Sequence, residues 1–188
     1  MSAASPLPRL AALSPDVVAR NVSNAVARHA AELLGALGVA MPERPMQTPL
    51  ERQTAALTRW AQTGRGLMLT EVAQCIERIL DALDETSGRF LPDDASERRG
   101  RPRSDGLDLR LEIDVVVEAA AGRALLTDDV LPETRYISVR RLAALAGVDL
   151  GVVSLAVSEL QGDAERIPRA YATAWLARRG VAGFGADA

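Results

Sequence analysis

The sequence predicts an all-α protein, an N-terminal helical bundle followed by a C-terminal helix-turn-helix domain, and three observations lead there. Aromatic residues make up only 3% of the 188 residues, so the core must come from Leu, Val, Ile and Ala. Ala- and Leu-rich chains favour helix because neither side chain loses much freedom there. Helix-start signals recur along the whole chain, and strand-type alternation appears only once, at 107–118. A hydrophobic content of 48% is that of a globular chain. The length allows one ordinary domain or two small ones.

Residues 1–13 read as a loose tail. Ser14-Pro15-Asp16 then starts a helix, with a capping serine, a proline in the first turn and an acid near the positive helix end. Val17, Val18, Val22, Ala25, Val26, Ala30, Leu33, Leu34 and Leu37 recur at helical spacing, and Gly38 can end the run. After a connector with Pro42, Pro45 and Pro49, Thr48 and Glu51 have the spacing of a reciprocal capping box, opening a helix through Leu57 and Trp60 to Gly64. A third helix is predicted from about Leu69 to Leu83, with Val72, Cys75, Ile76, Ile79, Leu80 and Leu83 on one broad face. Residues 14–86 are thus expected to form a helical assembly domain.

Residues 87–105 change character to Gly, Pro, Asp, Ser and Arg, which predicts a flexible linker. Its Arg98, Arg99, Arg101 and Arg103 fit either a solvated linker or an arm that neutralises phosphates. From Leu107 to Val115 apolar and charged residues alternate as in a strand. Leu109, Ile113, Val116 and Ala120 also fit a helix, and a lone strand would have no partner. The reading taken is helix, to about Leu126. A helix-turn-helix domain is expected over 106–181.

The most informative stretch runs from Ile137 to Ser158. Two short helices crossing steeply need a small residue at the crossing, which Ala143 supplies, and a turn residue tolerant of positive φ, which Gly147 supplies. Leu142, Ala146, Val148, Val153 and Ala156 then face the core, and Ser138 and Asp149 are placed to cap the two helices.

Leu142-Ala143, Ala146-Gly147-Val148 and Val153-Ser154 make this stretch resemble the DNA-binding module of the lactose-repressor family over about 22 residues. The resemblance does not extend to a sugar-binding domain, for which the chain is too short. Ile167-Pro168 opening a helix with Ala174-Trp175-Leu176 is similar to an arrangement in small bacterial regulators. The resemblance implies sequence-specific binding of duplex DNA, with Leu150, Gly151 and Leu155 at base-reading positions and Val152 beside them. The DNA-contacting set it implies is Ser138, Arg140, Arg141, Asp149, Leu150, Gly151, Val152, Ser154 and Leu155. None of the base-reading side chains makes the bidentate hydrogen bonds that read guanine or adenine, which leaves thymine methyls or a protein surface as their partner. Arg166, Arg169, Arg178 and Arg179 add positive charge near the C-terminal helix, as phosphate contacts or as ordinary solvated side chains. Tyr171, Ala174, Trp175, Trp60 and Met68 read as core or interface residues.

The remaining inventory narrows the function classes. The net charge of −3 speaks against an indiscriminate polyanion binder but allows a local basic face. One cysteine and one histidine cannot build the usual Cys/His metal site, and no cofactor is expected. A Ser-His-Asp triad would have to use His29, so an enzyme is not expected. There is neither a signal peptide pattern nor an apolar run long enough to span a membrane, so a cytoplasmic location is expected. The expected function is that of a bacterial-type transcriptional or mobile-element regulator acting as a homodimer on duplex DNA. The alternative is an adaptor or antitoxin-like protein whose helix-turn-helix is scaffold for a protein partner.

Overall fold

The computed structural model describes residues 9–40, 48–87, 105–127, 136–157, 160, 162–163 and 166–184. The four linker arginines fall outside that set. The elements are a 3-10 turn Leu10–Ala12, α1 (Pro15–Ala36), α2 (Pro49–Thr63), α3 (Leu69–Ser87), α4 (Asp105–Thr127), β1 (Tyr136–Ile137), α5 (Val139–Ala146), α6 (Leu150–Ala156), β2 (Ile167–Pro168) and α7 (Arg169–Arg178). The protein is mainly helical, as its composition predicts.

Local sequence accounts for most helix ends. At the start of α2, Glu51 N–H donates to Thr48 Oγ1 at 3.1 Å while Thr48 N–H donates to Glu51 Oε2 at 2.8 Å, which is the reciprocal box. α1 stops just before Gly38, and Val39 N–H closes back on Leu34 O at 2.8 Å. Two expected caps are not made. Ser14 and Asp149 hold the N-cap positions of α1 and α6 with extended backbone, yet neither side chain hydrogen-bonds the helix. The position is encoded by backbone geometry, and the bond needs a side-chain orientation that these two residues do not adopt.

α1 and α2 pack side by side, with Ser23 Oγ 3.3 Å from Thr48 Oγ1 near one end and Arg59 paired with Asp16 at 2.7 Å near the other. α2 therefore begins level with the middle of α1. All buried residues of α1 lie between Val18 and Ala25, and beyond them Leu33 and Leu37 are exposed. α3 contributes buried Val72, Cys75 and Ile79. Burial also raises the pKa of the Cys75 thiol, as expected of an inert core cysteine.

α4 explains the ambiguous alternation of 107–118. It is a helix packed against α1, α2 and α3 and also against α5, and it buries Ile113, Val115, Val116, Ala119 and Ala120. A helix covered on several sides needs no single apolar stripe, so its sequence loses helical amphipathicity. The buried apolar residues form one cluster from Leu10 to Phe184, to which α1 through α7 all contribute.

Two expectations are corrected, and one gains a second role. Residues 9–13 are not a loose tail: Leu10 and Leu13 are buried, and the Gln62 side chain donates to both their carbonyls at 2.9 and 2.8 Å. That amide satisfies two backbone acceptors that docking removes from water. Ile167-Pro168 opens the last helix as expected, with Pro168 at the N-cap of α7, and the same two residues form β2, antiparallel to β1, with Tyr136 opposite Pro168 and Ile137 opposite Ile167. Tyr171 and Ala174 are solvent-exposed rather than core, and Met68, read as core or interface, is exposed in this chain. Met68 lies in the turn before α3, and α7 turns Ala172, Trp175 and Leu176 inward instead.

Arg123 is the one charged side chain among the described residues with no measurable exposure. Its Nε donates to Ala61 O at 3.0 Å, Nη2 to Gln62 O at 3.2 Å and Nη1 to Ala182 O at 2.8 Å. Phe184 covers the guanidinium at 4.7 Å. The first two acceptors lie in the last turn of α2, where carbonyls lack helical partners and the helix dipole is negative. Burial lowers the Arg123 pKa to about 10, which leaves it charged at neutral pH. Gly183 lies against it with φ +81°, and a Cβ there would come within 2.8 Å of Nη1.

Candidate nucleic-acid interface

α5 and α6 are joined by Gly147, Val148 and Asp149. Gly147 has φ +64°, a left-handed conformation that costs a residue with a Cβ. Val148 N–H returns to Ala143 O at 3.1 Å. Ala143 is buried, as a close helix crossing requires, and Leu142 and Val153 anchor the two helices in the core. Ala146, Val148 and Ala156 pack at its edge. Ser138 caps α5 by accepting the Arg141 N–H at 3.3 Å. The docked N-terminal segment reaches this turn, with Arg9 Cβ and Leu10 N each 4.0 Å from the site a Gly147 side chain would take.

The other sequence-selected residues fall into two groups. Leu150, Gly151, Val152, Ser154 and Leu155 form the solvent face of α6, and Leu155 is 86% exposed. Asp149 stands just before them, also exposed. The helix itself carries no charged side chain. Arg140 and Arg141 form the second group, on the first turn of α5.

Sequence reasoning missed what those two arginines touch. Arg140 Nε lies 3.0 Å from Glu118 Oε1, and Arg141 Nε lies 3.2 Å from Glu118 Oε2. Asp114, one turn earlier on α4, adds a longer approach of 3.8 Å to Arg140 Nη2. One carboxylate thus bridges two adjacent cations, each of which keeps further N–H donors for other partners. The available signal was the Asp114/Glu118 pair at i, i+4 spacing in the segment read as a helix to about Leu126.

Asp114, Glu118 and Arg140 border a cleft of about 250 Å³ between α4 and the α5–α6 turn. Leu111, Val115 and Val148 give it an apolar part, while Arg9, Asp114 and Arg140 make it polar. Farther along the chain, Arg166 lies over Tyr136 at 6.0 Å and Arg179 over Trp175 at 4.2 Å. The Arg166 backbone N–H also closes a turn on Asp163 Oδ1 at 2.7 Å. Among the described residues, no three His, Cys, Asp or Glu side chains converge as a metal site would need, and no helix is long and apolar enough to cross a membrane.

No protein-family model matches the chain, and no curated protein or solved structure matches it significantly.

Proposed function

We propose that the protein binds duplex DNA through a helix-turn-helix made by α5 and α6, as a bacterial-type transcriptional or mobile-element regulator. The observation that carries this reading is the division of labour within α6. Val153 is its one buried side chain, Ala156 packs at the core's edge, and the other five of its seven residues face solvent. A short helix held by one buried side chain, entered through a left-handed glycine and offering its whole outer surface, suits insertion into a major groove. Leu150, Val152 and Leu155 would meet thymine methyls, and Arg140 and Arg141 would meet the backbone. The likeness to the lactose-repressor module adds to this reading. Binding rather than catalysis is the activity proposed.

Two copies would reach two half-sites. The exposed Leu33 and Leu37 on the part of α1 that extends past α2 support self-association through the N-terminal helices.

A second reading is favoured by the same α6 surface. It is apolar and uncharged, and Arg140 and Arg141 already have an acidic partner, so the face also suits another protein. Leu155→Glu separates the two. The position is exposed, so the fold should survive, and the added carboxylate would lie close to phosphates. Loss of duplex binding in a fluorescence-anisotropy titration, with an unchanged circular dichroism spectrum, supports the DNA reading. Parent-like DNA affinity together with loss of a protein partner or of dimerisation would replace it with the protein-contact reading.

A further inference from the structure

We propose that Glu118 is a selectivity-determining residue, which holds Arg140 and Arg141 back from DNA that does not seat α6. The inference rests on the DNA-binding reading and concerns how the same surface is regulated. Both carboxylate oxygens of Glu118 are engaged, one by each arginine, at 3.0 and 3.2 Å. With Asp114 included, two cations face two anions and the cluster is neutral.

Neutrality changes what a duplex encounters. Sequence-independent affinity comes from cations that replace the counterions condensed on phosphates. An arginine already facing a carboxylate supplies less of that term, and a nearby anion also repels the phosphate. A duplex that merely brushes the surface gains little. One that seats α6 in its groove is held long enough, and in fixed register, for phosphates to displace Glu118 from one or both guanidinium groups. Glu118 therefore suppresses the non-specific complex more than the seated one. The arrangement suits a protein whose overall charge is −3 and whose α6 carries no charge of its own.

Geometry ranks the two acids. Glu118 meets both arginines and its side chain is 25% exposed. Asp114 meets only Arg140, at 3.8 Å, and is 41% exposed. Neutralising Glu118 should release more charge than neutralising Asp114.

The experiment uses the full chain and a random-sequence duplex of about 30 base pairs, long enough for two half-sites one helical turn apart. Glu118→Gln keeps the shape and an acceptor oxygen while removing the charge. It should bind the random duplex on the order of fivefold tighter than the parent at about 0.1 M salt, with a log-log salt slope steeper by about one. Asp114→Asn should move affinity in the same direction by a smaller factor. Arg140→Ala with Arg141→Ala should cost a larger factor in affinity in the Glu118→Gln background than in the parent, a coupling that a general effect of net charge would not predict. If the parent binds and Glu118→Gln binds equally or more weakly, Glu118 is inert or serves to orient the arginines, and the proposal is overturned. If none of the variants binds the duplex even at low salt, the DNA-binding reading falls and this inference falls with it. Should Glu118→Gln fail to fold by circular dichroism, Asp114→Asn decides the matter, and an affinity no higher than the parent's overturns the proposal.

Discussion

Arg123 and Glu118, less than two turns apart on α4, mark two opposite ways in which the protein treats arginine. Arg123 is fully buried, meets no carboxylate among the described residues, and spends donors on three backbone carbonyls. Arg140 and Arg141, held against Glu118, remain open to solvent, Arg140 with 62% of its side chain exposed. The first arrangement is fixed because carbonyl dipoles removed from water have no other donor. The second is exchangeable because water or a phosphate can replace either partner at small cost. The same side chain is thus a structural tie at one site and a reserve of charge at the other, and the difference lies in solvent access and in the kind of acceptor.

Breaking the tie should have the largest effect. Arg123→Met leaves the carbonyls of Ala61, Gln62 and Ala182 without their donor, and should cost about 3 kcal/mol or more. For a chain of this size each kcal/mol is worth roughly 2–4 °C of melting temperature. A thermal melt within a degree or so of the parent's would show that Arg123 is not a tie at all. Next comes Gly183→Ala. Its Cβ would stand 2.8 Å from Arg123 Nη1 on a backbone at φ +81°. An expected loss of about 1–2 kcal/mol in denaturant unfolding combines the steric and conformational costs. A neutral result would mean that residues 181–184 shift without loosening the clamp.

The smallest effect on stability should come from the exchangeable pair. Arg140→Ala and Arg141→Ala should each change stability by no more than about 0.5 kcal/mol. Together they should weaken binding of DNA that seats α6 more than binding of a random duplex, where Glu118 already offsets their charge. A large loss of stability would place these arginines with Arg123 as structural ties and end the comparison.

How much of this was legible in the sequence follows from the range of the interaction concerned. The Thr48/Glu51 box, the Gly64 and Gly147 turns and the Ser138 cap are written within four residues of one another, and each is present. The helical nature of 107–118 was legible only by elimination, because a helix covered on several sides shows no stripe. The β1–β2 ribbon is two residues long on each side, too short for any periodicity. Docking of Leu10 and Leu13 depends on Gln62, nearly fifty residues or more away. Arg123 and Glu118 were invisible for the same reason: nothing local separates a buried arginine from a solvated one, or a bridging glutamate from a surface one. For the candidate site, the exposed α6 residues were read correctly as a surface, whereas the partner of the flanking arginines had to come from another helix.

The Arg123 cage also bears on how the chain folds. Its three acceptors lie 62, 61 and 59 residues from it in sequence, on both sides. No fragment ending before residue 182 can complete it, and neither can one that starts beyond α2. Contacts of such separation pay their loop-closure entropy before they return any stabilisation, so the cage should close late, after α2 and α4 have already met. During synthesis the cage would close only once residues 182–184 have left the ribosome, and the helices made before them would wait for that step to become fully stable.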